Sequence, residues 1–161
     1  MCIRDRVSVA VLSLFESTIA AAAILAAFFP IVAGVSGSAG TQTLTVTVRG
    51  IALGEISRRN GVRNLIREIS IGLIDGVVLG LLIATIAYIW KDQPVLGLVV
   101  GLSVFLNMIT AAVAGFLVPW GFQIIKIDPA LASPVLVTTL TDTFGYFIYL
   151  GIASLVLIQL L

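Results

Sequence analysis

One aspartate lies inside an apolar segment near the C-terminus that is otherwise uncharged. Asp142 is the single charged residue of the stretch from Leu131 to Leu161. A charge at membrane depth costs about 3 kcal/mol or more, so it usually faces a cavity or a pathway. Four hydroxyl side chains flank it and could bind water or a cation: Thr138, Thr139, Thr141 and Thr143. These residue types predict the lining of a cation route. The alternative is a carboxylate that is hydrogen-bonded within a helix bundle for structural reasons.

A second polar tract runs from Phe29 to Gln42. Its glycines fall three residues apart, and hydroxyl residues alternate with them: Gly34, Ser36, Gly37, Ser38, Gly40 and Thr41. Small residues let two helices, or two copies of one helix, approach closely. The tract is not a phosphate-binding loop, because it lacks the lysine of that motif. It is therefore either another wall of the polar route or a packing surface whose hydroxyls bond to backbone carbonyls.

Three further polar residues have two interpretations each. Asp75 is either a secondary ion site near the cytoplasmic mouth or an interfacial acid that pairs with Arg67 or caps a neighbour. Glu16 either attracts cations at the outer turn or is a solvated loop acid. Asn107 is expected to form an interhelical hydrogen bond rather than to line a pore.

Composition sets the class of protein. The chain has 161 residues, of which 60% are hydrophobic and 11% charged, and soluble domains typically carry about 25% charged residues. This predicts an integral membrane protein of one domain. No basic patch with interleaved aromatic residues supports a nucleic-acid partner. Histidine, the commonest metal ligand and general base, is absent. Cys2 is the single cysteine, which excludes an internal disulfide and a thiolate metal cluster. We predict that the chain is not an enzyme.

Four stretches are long enough to cross a hydrocarbon core of about 30 Å. We predict an all-α integral membrane protein, a helical bundle of four full transmembrane helices plus a partial N-terminal helix. The partial helix covers about residues 7–15, and the full helices cover about residues 17–48, 69–90, 95–118 and 131–161. Residues 1–6 are interpreted as a foreign or truncated start. A stripe of small residues in the second full helix predicts close helix packing: Gly72, Gly76 and Gly80.

Charge sets the expected orientation. The segment 49–68 contains five arginines and two glutamates, so the positive-inside rule places it in the cytoplasm. The same arginines would contact anionic lipid headgroups, or a cytoplasmic domain in an intact relative. Because the spans alternate, the C-terminus is expected outside. The predicted location is the cell inner (plasma) membrane, which the chain crosses several times.

Four motifs, in this order, resemble the transmembrane domain of the MgtE family of magnesium channels. They are residues 30–42, Thr45–Glu55, Asp128–Ser133 and Thr138–Asp142. The resemblance covers nearly everything from about Val7 onward. It implies a homodimer in the lipid bilayer, with the ion path between the subunits. The family's pore-lining helices correspond here to residues 17–48 and to about residues 132–161.

The resemblance also implies the site residues and the transported ion, Mg²⁺. Asp142 takes the place of the family's pore aspartate, and Thr138 takes the place of a residue whose backbone carbonyl helps to hold the hydrated ion. The remaining predicted pore-lining residues are Pro30, Gly34, Gly37, Ser38, Gly40, Gln42, Thr139 and Gly145. Mg²⁺ prefers oxygen ligands and keeps several waters, which suits two copies of Asp142 acting through water bridges. Ser38 departs from the family's usual asparagine and cannot reproduce its amide.

The leading hypothesis is a passive channel for hydrated Mg²⁺. A pump is not expected, because these 161 residues contain no ATP-binding motif. The alternative is a secondary transporter that exchanges divalent cations for sodium or protons. A third hypothesis is a fragment that does not conduct. Intact family members are expected to carry a cytoplasmic regulatory domain, with an acidic helical part and a pair of CBS modules, that this sequence does not contain.

Overall fold

The computed structural model describes residues 3–21, 23–57, 59–129 and 134–160. These residues form helices and turns without a strand, which confirms the all-α prediction. The helices are α1 (Ile3–Leu14), α2 (Glu16–Ala21), a short 3-10 helix (Ala23–Phe28), α3 (Phe29–Ala52), α4 (Gly61–Lys91), α5 (Pro94–Ile124) and α6 (Pro134–Leu160). Within the described ranges, four helical stretches are long and apolar enough to cross a membrane: Ile24–Ala52, Gly61–Lys91, Pro94–Ile124 and Pro134–Val156.

The helix predicted for residues 17–48 differs from the structure at both ends. The regular α-helix begins at Phe29, after α2 and the 3-10 helix, and continues to Ala52. Pro30 lies in its first turn, where a missing backbone N–H leaves no hydrogen bond unmade. The proline therefore marks the beginning of α3 instead of a kink within a longer helix.

The second and third spans are longer than predicted. α4 and α5 have 31 residues each, so each is about 46 Å long at 1.5 Å per residue. The arginine-rich segment 49–68 is mostly helical, with residues 53–60 between α3 and α4. Pro119 lies inside α5, beyond the predicted end at residue 118. Membrane helices tolerate such a proline where neighbouring groups satisfy the freed carbonyl.

The two termini also differ from the predicted boundaries. α1 begins at Ile3, so four of the six residues interpreted as a foreign start continue the first helix. Met1 and Cys2 lie outside the described residues, as does the predicted beginning of the last helix at Leu131. The described part of that helix, α6, begins at Pro134.

The most buried of the four spans is α5, which contacts α3, α4 and α6. Its contact with α4 runs along the glycine stripe. A Cβ atom at Gly80 would lie 2.9 Å from the backbone oxygen of Gly101, and one at Gly76 would lie 3.0 Å from that of Phe105. The stripe is therefore a helix-packing surface, as predicted.

The described residues form two apolar core clusters. The larger one includes Val32, Val104 and Tyr149, and the smaller one joins Leu44 and Val137 with Ala114. Between these positions on the three helices lie four buried polar residues, exposed by 1%, 0%, 0% and 8%: Ser36, Asn107, Thr141 and Asp142. A polar layer thus crosses the bundle where α3, α5 and α6 meet.

Candidate cation site

Asp142 lies on α6, eight residues after Pro134 and hence about 12 Å along the helix. Its side chain is 8% exposed. Its Oδ1 atom lies 3.9 Å from the position that a Cβ would take at Gly37. The carboxylate is therefore at the contact between α3 and α6, and the absence of a side chain at Gly37 leaves the space beside it open.

The threonines around Asp142 direct their hydrogens into their own helix. Each hydroxyl donates to a backbone oxygen three or four residues earlier, at distances from 2.6 to 3.2 Å. The four hydroxyls belong to Thr138, Thr139, Thr141 and Thr143. A hydroxyl that has donated its hydrogen still has lone pairs that accept. The surroundings of Asp142 thus present oxygen acceptors, which suit a cation or the hydrogens of its water shell.

The predicted pore-lining residues of α3 fall on different faces. Gly37 faces Asp142. A Cβ at Gly40 would lie 2.9 Å from Cγ1 of Val137 and 3.3 Å from Cγ2 of Thr141, so Gly40 packs directly against α6. The others are exposed in the single chain: Pro30, Gly34, Ser38 and Gln42.

Gly145 contacts α5. A Cβ at this position would overlap the amide nitrogen of Asn107. The glycine is therefore required by packing within one chain, and its predicted role in lining a pore stays a prediction.

Asp75 lies in a groove between α3 and α4. It lines two adjoining cavities of about 640 and 470 Å³, and Gln42 lines both. The first cavity also contains Arg67, and the second reaches the exposed face of α3 at Gly34 and Ser38. The structure thus brings Asp75 to the predicted pore face of α3, and it leaves both earlier interpretations of this residue open.

Glu16 is exposed at the beginning of α2. Among the described residues, no group of three or more histidine, cysteine, aspartate or glutamate side chains could hold a metal ion.

Asn107 forms the interhelical hydrogen bond that the sequence predicts. Its amide nitrogen donates to the Val32 oxygen at 3.2 Å and to Ser36 Oγ at 2.6 Å. Sequence reasoning missed Ser36 as its partner, because the two residues are 71 positions apart. The available signal was a lone amide within an apolar span.

Comparison with known proteins matches residues 29–152 to the MgtE family model, described as a divalent cation transporter. The chain is 38% identical over 148 residues to a magnesium transporter MgtE of Bacillus subtilis, covering 92% of this chain and 33% of that protein. It is 37% identical over 144 residues to a magnesium transporter MgtE of Enterococcus faecalis, covering 89% of this chain and 32% of that protein. It is 35% identical over 151 residues to a magnesium transporter MgtE of Thermus thermophilus, covering 94% of this chain and 33% of that protein.

The chain spans about a third of the length of these curated relatives. The family match includes all of α3, α4 and α5 and most of α6, and with them Asp142 and the polar layer. Together with four helices that can cross a membrane, this makes the protein a multi-pass membrane protein. The resemblance expected from the sequence motifs is confirmed, and the chain belongs to the MgtE family of divalent cation transporters.

Proposed function

We propose that this chain forms a magnesium channel in which hydrated Mg²⁺ passes between two copies of the chain. The matched relatives bear the name of magnesium transporters. One observation carries the proposal: Asp142, a carboxylate inside a membrane span, lies at the contact between the two helices predicted to line the pore. An acid at that depth is costly unless it faces a pathway or a partner.

The chemistry of the site suits a hydrated ion. Mg²⁺ sheds water reluctantly and usually keeps several waters when it binds. One Asp142 from each subunit would accept hydrogen bonds from those waters, and two negative charges would favour a divalent cation. The Thr138 carbonyl accepts from Thr141 Oγ1 at 3.1 Å in addition to the helical N–H of Asp142, so a water of the ion's shell would have to replace the Thr141 hydroxyl as its partner.

The exposed face of α3 supports a homodimer. Ser38, Gln42 and Thr45 are all exposed in the single chain although they lie within a membrane span. The hydroxyls of Ser38 and Thr45 donate to carbonyls of α3 itself, each at 2.8 Å, so the amide of Gln42 is the group that would be unfavourable against lipid. A second copy of the chain would convert this face into the wall of a water-filled path.

The orientation follows from the positive charges. Arg63 and Arg67 are exposed at the beginning of α4, which is about 16 Å longer than a 30 Å hydrocarbon core. This end belongs in the cytoplasm by the positive-inside rule. The C-terminus then lies outside, and the protein resides in the cell inner (plasma) membrane.

The decisive experiment measures Mg²⁺ uptake into proteoliposomes that contain the Asp142→Asn variant. Asparagine keeps the shape of the side chain and removes its charge, so uptake should fall to the level of empty vesicles. Asp92→Asn is the matched control, because Asp92 is exposed in a turn with φ 51°, a conformation that asparagine tolerates well. Equal uptake by the two variants would reject Asp142 as the ion site.

A second candidate mechanism is exchange of Mg²⁺ for sodium or protons. It is favoured by one observation, the additional carboxylate of Asp75 in the groove with Gln42. Electrical recordings separate the two mechanisms. A current that reverses at the equilibrium potential of Mg²⁺ supports the channel, whereas a strict requirement for a counter-ion supports exchange. Asp75→Asn in the same recordings tests whether the groove takes part.

A further inference from the structure

The amide of Asn107 is only half satisfied. The residue is 0% exposed and donates both amide hydrogens to α3, at Val32 and Ser36. Its oxygen, Oδ1, is buried and has no hydrogen-bond partner among the residues that the structure describes. A buried polar group of this kind calls for an explanation.

Stability alone does not explain this amide. A stranded buried oxygen costs about as much as two ordinary hydrogen bonds gain, so the net contribution of Asn107 to folding is near zero. Positions that violate the packing rules without a gain in stability are expected at functional sites.

Asn107 lies between the two helices that form the Asp142 site. On α3 it bonds to Ser36, and the next residue, Gly37, is the one that faces Asp142. On α6 it fills the space above Gly145, which lies one helical turn from Asp142. The side chain therefore flanks the contact between Gly37 and Asp142 from both helices.

We propose that Asn107 is a positioning residue for Asp142, holding α3 and α6 at the separation that fits a hydrated cation. The inference rests on the proposed function, because it assigns a partner to the ion site described above. Asn107 itself does not touch the ion. It acts by bonding α3 through Ser36 and by occupying the space that Gly145 leaves open on α6.

Ser36→Ala tests the proposal with little disturbance of the fold. The Ser36 hydroxyl donates within its own helix, to Val32 at 2.8 Å and Ala33 at 3.2 Å, and accepts the bond from Asn107. Ser103→Ala is the matched control. Ser103 is equally buried, at 0% exposed, and its hydroxyl donates to Val99 in its own helix at 2.6 Å. Only the first substitution removes an interhelical bond.

The measurement is Mg²⁺ uptake by the full chain as a function of Mg²⁺ concentration. We expect Ser36→Ala to raise the half-saturating concentration about 10-fold, at the lower end of the range for residues that orient metal ligands. Ser103→Ala should leave that concentration unchanged. Asn107→Ala should have at least the effect of Ser36→Ala, and the double variant should add nothing to Asn107→Ala, because both changes remove the same bond.

Two results would overturn the proposal. One is a half-saturating concentration for Ser36→Ala equal to that of Ser103→Ala. The other is a lower maximal rate that merely follows the amount of folded protein, with unchanged half-saturation, which would indicate a structural role. If Asn107→Ala does not fold, Ser36→Ala still decides. An active Asp142→Asn variant would refute the proposed function itself, whereas an inactive one beside a normal Ser36→Ala would refute only the role of Asn107.

Discussion

Gly145→Ala gives a direct measure of how tightly α5 and α6 are interlocked. The new Cβ would overlap the amide nitrogen of Asn107 and lie 3.0 Å from its Cγ. Either the amide rotates away and loses its bonds to Val32 and Ser36, or α6 moves outward. Both responses disturb the polar layer that contains Asp142.

The cost can be worked out from these contacts. If the amide rotates away, the loss of two hydrogen bonds costs about 2 kcal/mol, at roughly 1 kcal/mol each. If α6 moves outward instead, overpacking the core by one methyl group costs about 1–3 kcal/mol. Replacing glycine by alanine in a helix returns about 1 kcal/mol. Gly151→Ala on the same helix provides the control, because no atom of the described residues lies within 4 Å of a Cβ at that position. The two variants share the gain in helix propensity, so their stabilities should differ by about 2 kcal/mol.

The assay is reversible unfolding in mixed detergent micelles, followed by circular dichroism. Repeating the comparison in an Asn107→Ala background removes the clashing amide, and the difference between the two alanine variants should then shrink. Equal stability of Gly145→Ala and Gly151→Ala in the otherwise native chain would refute the assigned contact.

Two further predictions use the same unfolding assay. Gly80→Ala places a Cβ 2.9 Å from the backbone oxygen of Gly101 and should destabilise the protein by about 1–3 kcal/mol. Gly121→Ala is its control, because no described atom lies within 4 Å of a Cβ there. Equal stability of the two variants would contradict the prediction. Tyr149→Phe removes a 3.1 Å hydrogen bond to the Leu25 oxygen and should cost about 1 kcal/mol. Tyr88→Phe, at a side chain that is 47% exposed, is its control, and an equal effect of both changes would argue against the bond.

The helix boundaries show where sequence patterns lose information. Hydropathy marks the part of a helix that lies in lipid, so it predicted residues 69–90 for the second span. The helix actually begins at Gly61. Its first two turns carry Arg63 and Arg67, and the low hydropathy of these residues hid the helical conformation of the segment. Similarly, Pro30 was visible in the sequence, but its position in the first turn of α3 became clear only from the backbone.

The glycines of the candidate site were harder to interpret from the sequence. The sequence predicts the same pore-lining role for Gly37, Gly40 and Gly145, because all three are glycines in polar tracts. In the structure Gly37 faces Thr138, Thr141 and Asp142 at 3.7 to 3.9 Å, Gly40 packs against Val137, and Gly145 packs against Asn107. A glycine carries no side chain that signals its surroundings, so only the neighbours brought by the other helices distinguish the three.

The sequence by itself determined residence in the membrane, the four spans and the lone carboxylate of the last span. Each of these depends on the hydropathy or charge of a residue and its close neighbours in the chain. Only the tertiary structure decided that α5 lies between α4 and the pair α3 and α6, that Asp142 meets Gly37 and that Asn107 bonds Ser36 across 71 positions. Such contacts depend on how whole helices pack against one another, and no local pattern of residues encodes that arrangement.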